Sequence, residues 1–352
     1  KCTYFYRIYF RDKGNREISD FTPGSLISER AIHRRLKNGL PLIDEKDIPV
    51  PGEYLNEILK KGLRLHCTSK WMNTAVFGSD QSDAPQSILS LPFVYDVKTV
   101  KSADKSNSYP GKLNLNISLA ETDLVSNHLH QTNGDLLHKS GFTGKGILIA
   151  VLDAGFSGSD FVSSLNDLRK RNGIKSTYDF VENKQNVFDH HSHGTAVFSI
   201  MAGNIPGSIQ GSAPGSDYLL LRTEDEASEF PIEEDFWVAG AEFADSAGAD
   251  IINSSLGYFE FDDPAMNFKY SDMDGNTTFI SNAADIAASK GILVVCSAGN
   301  ERNGSWKYII APSDADSVIA VGAVDANGII SSFSSSGPSY DGRIKPDVVA
   351  QG

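Results

Sequence analysis

Three short stretches of the chain carry residue types that could work on a carbonyl group. The first, Ile149-Ala-Val-Leu-Asp153-Ala-Gly155, ends an apolar run on a carboxylate. A buried charge in that position is costly unless something binds it, and capping a loop is the simpler use of such an aspartate. The second, His193-Gly194-Thr195, places an imidazole at the start of a helical stretch, with Gly194 leaving room beside the ring. Imidazole is the side chain best suited to moving protons near neutral pH, although a solvated helix start would look the same. The third, Ser297-Ala298-Gly299-Asn300, puts a side-chain amide just beyond another apolar run. Such an amide can donate to a developing oxyanion, or simply occupy a turn. The run Asp189-His-His-Ser-His193 has no second ligand cluster at suitable spacing, so no metal site is assigned to it.

The elements that must hold these residues are legible as continuous apolar runs. Ile147–Leu152, Tyr218–Leu221, Ile251–Ile252, Ile292–Val295 and Val318–Val321 read as buried parallel strands. Helical stretches are expected at Thr195–Met201, Asp235–Ala247 and Ser281–Ser289. Repeated β-α-β predicts an α/β sheet with helices on both faces and its site at the carboxyl ends of the strands.

Residues 1–100 read differently, as strand, helix, strand, helix, strand in outline. Strands are expected at Tyr4–Phe10, Lys70–Phe77 and Pro92–Val100, with helices over Ser28–Leu36 and after Pro51-Gly52. A small α+β domain over 1–100, a polar linker over 101–118 and an α/β domain over 119–352 follow. Residues 1–110 hold 17 Lys/Arg against 13 Asp/Glu, and the remainder 15 against 32, so the formal charge of −13 resides in the second segment. Opposite balances favour docking of one segment on the other. The acidic groups Glu224-Asp-Glu226 and Glu233-Glu-Asp235 read as a solvated face, with attraction for basic substrates as the functional alternative. The overall acidity argues against nucleic acid as a partner. No run approaches the about 18 apolar residues of a membrane span. Cys296 is expected to be a core residue, whereas Cys2 and Cys67 could pair in an oxidising compartment. The start at Lys1-Cys2 suggests a processed product.

Taken in order, these motifs resemble the subtilisin-like serine proteases over roughly residues 140–352. Asp153-Ala-Gly155 resembles the catalytic-aspartate motif and His193-Gly-Thr195 the catalytic-histidine motif. Ser254-Ser-Leu-Gly257 is similar to the substrate-binding strand, Ala298-Gly-Asn300 to the oxyanion loop, and Lys345-Pro-Asp347 to the stretch before the nucleophile. The resemblance implies a subtilisin-like parallel sheet and a peptidase acting on protein or peptide substrates. Asp153 would orient His193, His193 would act as base and then acid, and Asn300 would hold the oxyanion. Ser255, Leu256, Gly257, Ala298 and Gly299 would bind the peptide main chain. It further implies that residues 1–100 are a ferredoxin-like α+β prodomain that serves as an internal partner. No cofactor is required, room is left for structural Ca²⁺ with no ligand assigned, and a secreted or cell-envelope location is expected.

The pattern departs from the family at the nucleophile. No Gly-Thr-Ser occurs in the 352 residues, and Ser331, Ser332 and Ser334–Ser336 match a structural turn instead. The expectation is a precursor whose serine lies beyond Gly352, or a separate C-terminal fragment that carries it, with this chain inactive alone. A non-catalytic peptide-binding or inhibitory pseudo-protease is the rival expectation.

Overall fold

The computed structural model describes residues 3–102 and 127–352, which group into two compact units. One comprises Lys1–Pro110, Ala227–Gly248 and Glu260–Asn267; the other comprises Gly111–Glu226, Ala249–Phe259 and Phe268–Gly352.

The first unit is built on strands β1 (Tyr4–Phe10), β2 (Arg64–Ser69), β3 (Thr74–Ser79) and β4 (Val94–Ser102). They form an antiparallel sheet in the order β2-β3-β1-β4. Helices α1 (Glu29–Lys37) and α2 (Gly52–Leu59) precede β2, and α3 (Ala84–Leu89) precedes β4. This β-α-β-β-α-β arrangement is ferredoxin-like. Alternation along β1 sends Tyr6, Ile8 and Phe10 into a core with Val50, Ile58, Leu63, Phe77, Ile88 and Val94. The sequence outline needs two corrections here. Lys70–Asn73 is a turn, with Asn73 at φ 53° and Ser69 Oγ accepting from the Met72 amide at 2.9 Å, so the strand expected over Lys70–Phe77 begins only at Thr74 as β3, and β2 before it was not anticipated. In addition, β4 runs through Ser102, two residues into the expected linker; 103–118 lie outside the described residues. Cys67 is a free thiol on β2, and its expected partner Cys2 lies outside the described residues.

This unit also contains α5 (Ile232–Ala247), a helix from far along the chain. It passes the sheet face opposite the Tyr6–Phe10 core, where Arg7 points: Arg7 donates bidentately to Asp235 at 2.7 Å from both Nε and Nη2. His66 of β2 packs on Phe236, with ring centroids 5.0 Å apart. Four of the six acidic residues expected to be solvated are buried, Glu224 2%, Glu233 0%, Glu234 2% and Asp235 4% exposed, while Asp225 and Glu226 are half-buried. The arginine partner of Asp235 explains how that carboxylate tolerates burial, since buried charges persist only when answered.

The second unit is a seven-stranded parallel sheet. Its strands are β5 (Leu148–Asp153), β6 (Ile174–Asp179), β7 (Asp217–Arg222), β8 (Ile251–Ser254), β9 (Leu293–Ser297), β10 (Ile319–Val324) and β11 (Val348–Gln351). They lie in the order β11-β10-β9-β8-β5-β7-β6. All five expected strands are present; β6 and β11 were not anticipated. Helices α4 (His193–Ala202) and α6 (Phe279–Ser289) fall at two of the expected positions. From β5 the chain winds to one side through β6 and β7, then returns to the other side from β8 onward. The reversal leaves a crevice at the carboxyl ends of β5 and β8, where open α/β sheets bind their ligands.

Candidate active site

The register levels three neighbouring strand ends, with Leu152 opposite Ser254 and Ser254 opposite Cys296. Asp153 is therefore the last residue of β5, Ser255–Gly257 leave β8, and Ala298–Asn300 leave β9 at one edge of the sheet. His193 opens α4, and its Nδ1 meets Asp153 Oδ1 at 2.7 Å. Asp153 is fully buried; the same oxygen accepts from the Ala154 amide at 2.8 Å, while Oδ2 has no hydrogen-bond partner among the described residues. Its charge is thus directed largely at the imidazole.

Glycine makes this approach fit. A Cβ on Gly194 would lie 2.5 Å from Gly155 O, 2.8 Å from Phe156 Cε1 and 2.9 Å from Asp153 Cβ. Gly155, at φ 145°, leaves no space for a side chain against His190 and His191. Around them, Thr195 Oγ1 donates to Ser157 O at 2.8 Å, and the His193 amide donates to His191 Nδ1 at 3.0 Å.

Burial opposes protonation of His193, but the hydrogen bond and charge of Asp153, with the charge of Glu224, prevail and raise its pKa above the ordinary 6.5. Gly194→Ala is expected to push the ring away from Asp153 and return the His193 titration toward about 6.5. Histidine NMR titration of the full chain checks this, and an unchanged titration would contradict the steric account.

The remaining expected residues are placed as follows. Asn300 is exposed at the end of β9, while Ala298 is buried, its amide donating to Val321 O at 2.9 Å. Gly299, at φ 105°, accepts on its carbonyl from the Ser335 amide. Ser255 and Gly257 are half-buried and Leu256 is buried; none of the three uses its backbone N–H or C=O in a hydrogen bond among the described residues. An unused backbone edge of this kind can receive an extended peptide.

Sequence reasoning missed Arg222, which stands opposite Asp153 on β7. Its Nε donates to Ala154 O at 3.1 Å, and its other nitrogens bind Asp179 and Glu226, anchoring the loop that follows the aspartate. The signal was a cation closing the apolar run Tyr218–Leu221. Asp179, Glu182 and His190 bring ligand atoms within 4.8 Å of one another. Even so, Arg222 already answers Asp179 at 3.0 Å, and the Val181 and Glu182 amides take its other oxygen, so the set does not suit a further cation. Asp274 Oδ1 accepts from the amides of Asn276 and Thr277 at 2.9 and 2.8 Å.

The profile of the subtilase family matches residues 144–352, more than half of the chain. The chain belongs to the subtilase family. A second profile, the peptidase S8 propeptide domain of Bacteroidota, matches residues 5–114 of this subtilase. Subtilisin E of Bacillus subtilis is 31% identical over 250 residues, covering 70% of this chain and 58% of its own length. The chain thus spans a little over half of that relative. A subtilisin of Bacillus pumilus is 33% identical over 217 residues, covering 60% of this subtilase and 69% of the relative. In fold, the subtilase is similar to the crystal structure of the epidermin leader peptide processing serine protease of Staphylococcus aureus, as its S393A mutant. The TM-score is 0.60 at 14% identity, over 100% of this chain and 76% of the other. No helix among the described residues is long and apolar enough to cross a membrane.

Proposed function

We propose that this subtilase is a serine endopeptidase acting on extended polypeptides, with residues 1–100 as its prodomain, 101–118 as linker and 119–352 as the larger part of the catalytic domain. The observation that carries the reading is the 2.7 Å pairing of His193 with the buried Asp153. A serine outside these 352 residues, further along the polypeptide or on a bound fragment, would supply the nucleophile. His193 Nε2 takes the serine proton as Oγ bonds to the scissile carbonyl carbon, and Nδ1–H keeps its bond to Asp153, which stabilises the imidazolium. The carbonyl oxygen, now negative, accepts a hydrogen bond from the Asn300 amide, an interaction of about 3 kcal/mol in related sites. As the tetrahedral species collapses, the C–N bond breaks and His193 returns the proton to the leaving amine. Water, deprotonated by the same imidazole, then releases the acyl group. Ser255–Gly257 and Ala298–Gly299 would hold the substrate main chain on either side. This chemistry needs no cofactor, and a secreted or cell-envelope setting accords with it.

The test compares the 352-residue chain with the same chain extended by a subtilase segment bearing Gly-Thr-Ser. A fluorophosphonate probe should label the extended chain at the added serine and leave the shorter chain unlabelled; casein hydrolysis should follow the labelling and vanish in His193→Ala. An extended, folded chain that neither labels nor hydrolyses would favour the non-catalytic, peptide-binding alternative.

A further inference from the structure

Propeptide residues meet α5, a helix inside the subtilase match, through ions that are almost wholly buried. Arg7 and Asp235 side chains are 4% and 3% exposed, and Arg7 Nη2 also donates to Pro231 O at 2.9 Å and to the equally buried Glu234 at 3.3 Å. Ten residues along α5, about 15 Å by helical rise, Asp245 is fully buried between Arg34 and Arg35. Arg35 donates to Asp245 Oδ2 at 2.8 Å while also gripping Asp47 of the propeptide at 2.7 and 2.9 Å. Two arginines thus face Asp47 and Asp245, with Lys70 Nζ a further 3.9 Å from Asp47. Between the two locks, Glu242 accepts from Ser69 Oγ at 2.6 Å and from the Trp71 and Lys70 amides at 3.0 and 3.1 Å. Those main-chain donors would greet any helix with a glutamate there, whereas the arginines read side-chain charge at fixed spacing.

Burying an ion pair gains little over burying an apolar pair of the same size, because both ions lose their water. Burying one ion without its partner is severely penalised. An interface built this way gains little in tightness for the right partner and loses much for a wrong one, which is how specificity is achieved by exclusion. We propose that Arg7 with Asp235, and Arg34 and Arg35 with Asp245, form a matched-charge filter that decides which subtilase helix this propeptide accepts; the proposal rests on reading residues 1–100 as a prodomain. A helix neutral or basic at either position would be refused even if its apolar surface were identical.

The experiment uses the full chain with a sequence-specific cleavage site inserted between residues 103 and 126. After the folded protein is cut, release of the N-terminal fragment is timed by size-exclusion chromatography and native mass spectrometry. Arg7→Met and Asp235→Leu should each speed release about 10²-fold or more. The double variant, made together with Glu234→Gln so that no buried carboxylate loses the Arg7 cation, should return to within about tenfold of the unaltered protein. Should Asp235→Leu not fold, the isosteric Asp235→Asn takes its place in the cycle. Single variants that release as slowly as the parent, or a double variant as fast as the singles, would overturn the filter while leaving the prodomain reading intact. A parent fragment that departs at once would overturn both.

Discussion

Asp153→Asn is expected to lower kcat/KM about 10⁴-fold in a polypeptide that also carries the serine, with little change in KM. The amide can neither stabilise the imidazolium nor hold the ring in the tautomer that keeps Nε2 free. Its second signature needs no activity. In the 352-residue chain, Asp153 and Glu224 raise the His193 pKa against an opposing burial effect. Without the Asp153 charge, burial should dominate and the titration should fall below that of the parent. The sign for stability follows from the same shift. A histidine whose folded pKa is raised contributes its full stabilisation below about 6.5, and loses it as pH rises through the folded value. The parent should therefore lose a stability increment in that window, and Asp153→Asn should not. NMR titration and urea midpoints across that window would both have to match the parent for the pairing to be irrelevant. For the enzyme, neutral His193 is the working base, so activity should climb as pH passes the raised pKa.

Asp245→Ala is expected to destabilise the chain by about 3–5 kcal/mol, because it removes the buried carboxylate that faces Arg34 and deprives Arg35 of one of its two carboxylate acceptors. Urea unfolding should show the loss as a lowered midpoint at unchanged slope. The control is Glu57, whose pairing with Lys60 at 2.6 Å is solvent-exposed on both sides. Glu57→Ala should cost less than about 1 kcal/mol despite the short distance. Equal effects at the two positions would mean that burial does not set the worth of these pairs.

What could be read from the sequence follows from how local each signal is. The central strands announce themselves because parallel strands covered on both faces are continuously apolar, as β5 is up to Asp153. The Asp153 and His193 motifs stand out because glycines beside functional groups mark close approach. By contrast, β6 (Ile-Lys-Ser-Thr-Tyr-Asp) is mostly polar, and β11 is four residues long, so neither reads as a buried strand. The acidic stripe of α5 was misread for a different reason. Carboxylates are seldom buried unless paired, and the arginines that pair with Asp235 and Asp245 lie more than 200 residues away. Only the net-charge contrast between the two segments hinted at them. Arg222 escaped notice because its importance lies in register, one strand over from Asp153.

Placement of α5 in the first unit also bears on the order of events during synthesis. The last residue of β4 is Ser102 and the last of α5 is Ala247, so 145 further residues must be made before this helix is available to the unit. At about 5–20 residues per second, that interval is roughly 7–30 s. Throughout it, Arg7 and Arg34 must remain hydrated, Arg35 has only Asp47 to answer it, and the sheet face opposite the Tyr6–Phe10 core must wait uncovered. The nascent N-terminal unit is therefore a clock-dependent species, soluble by virtue of the same cations that later become buried.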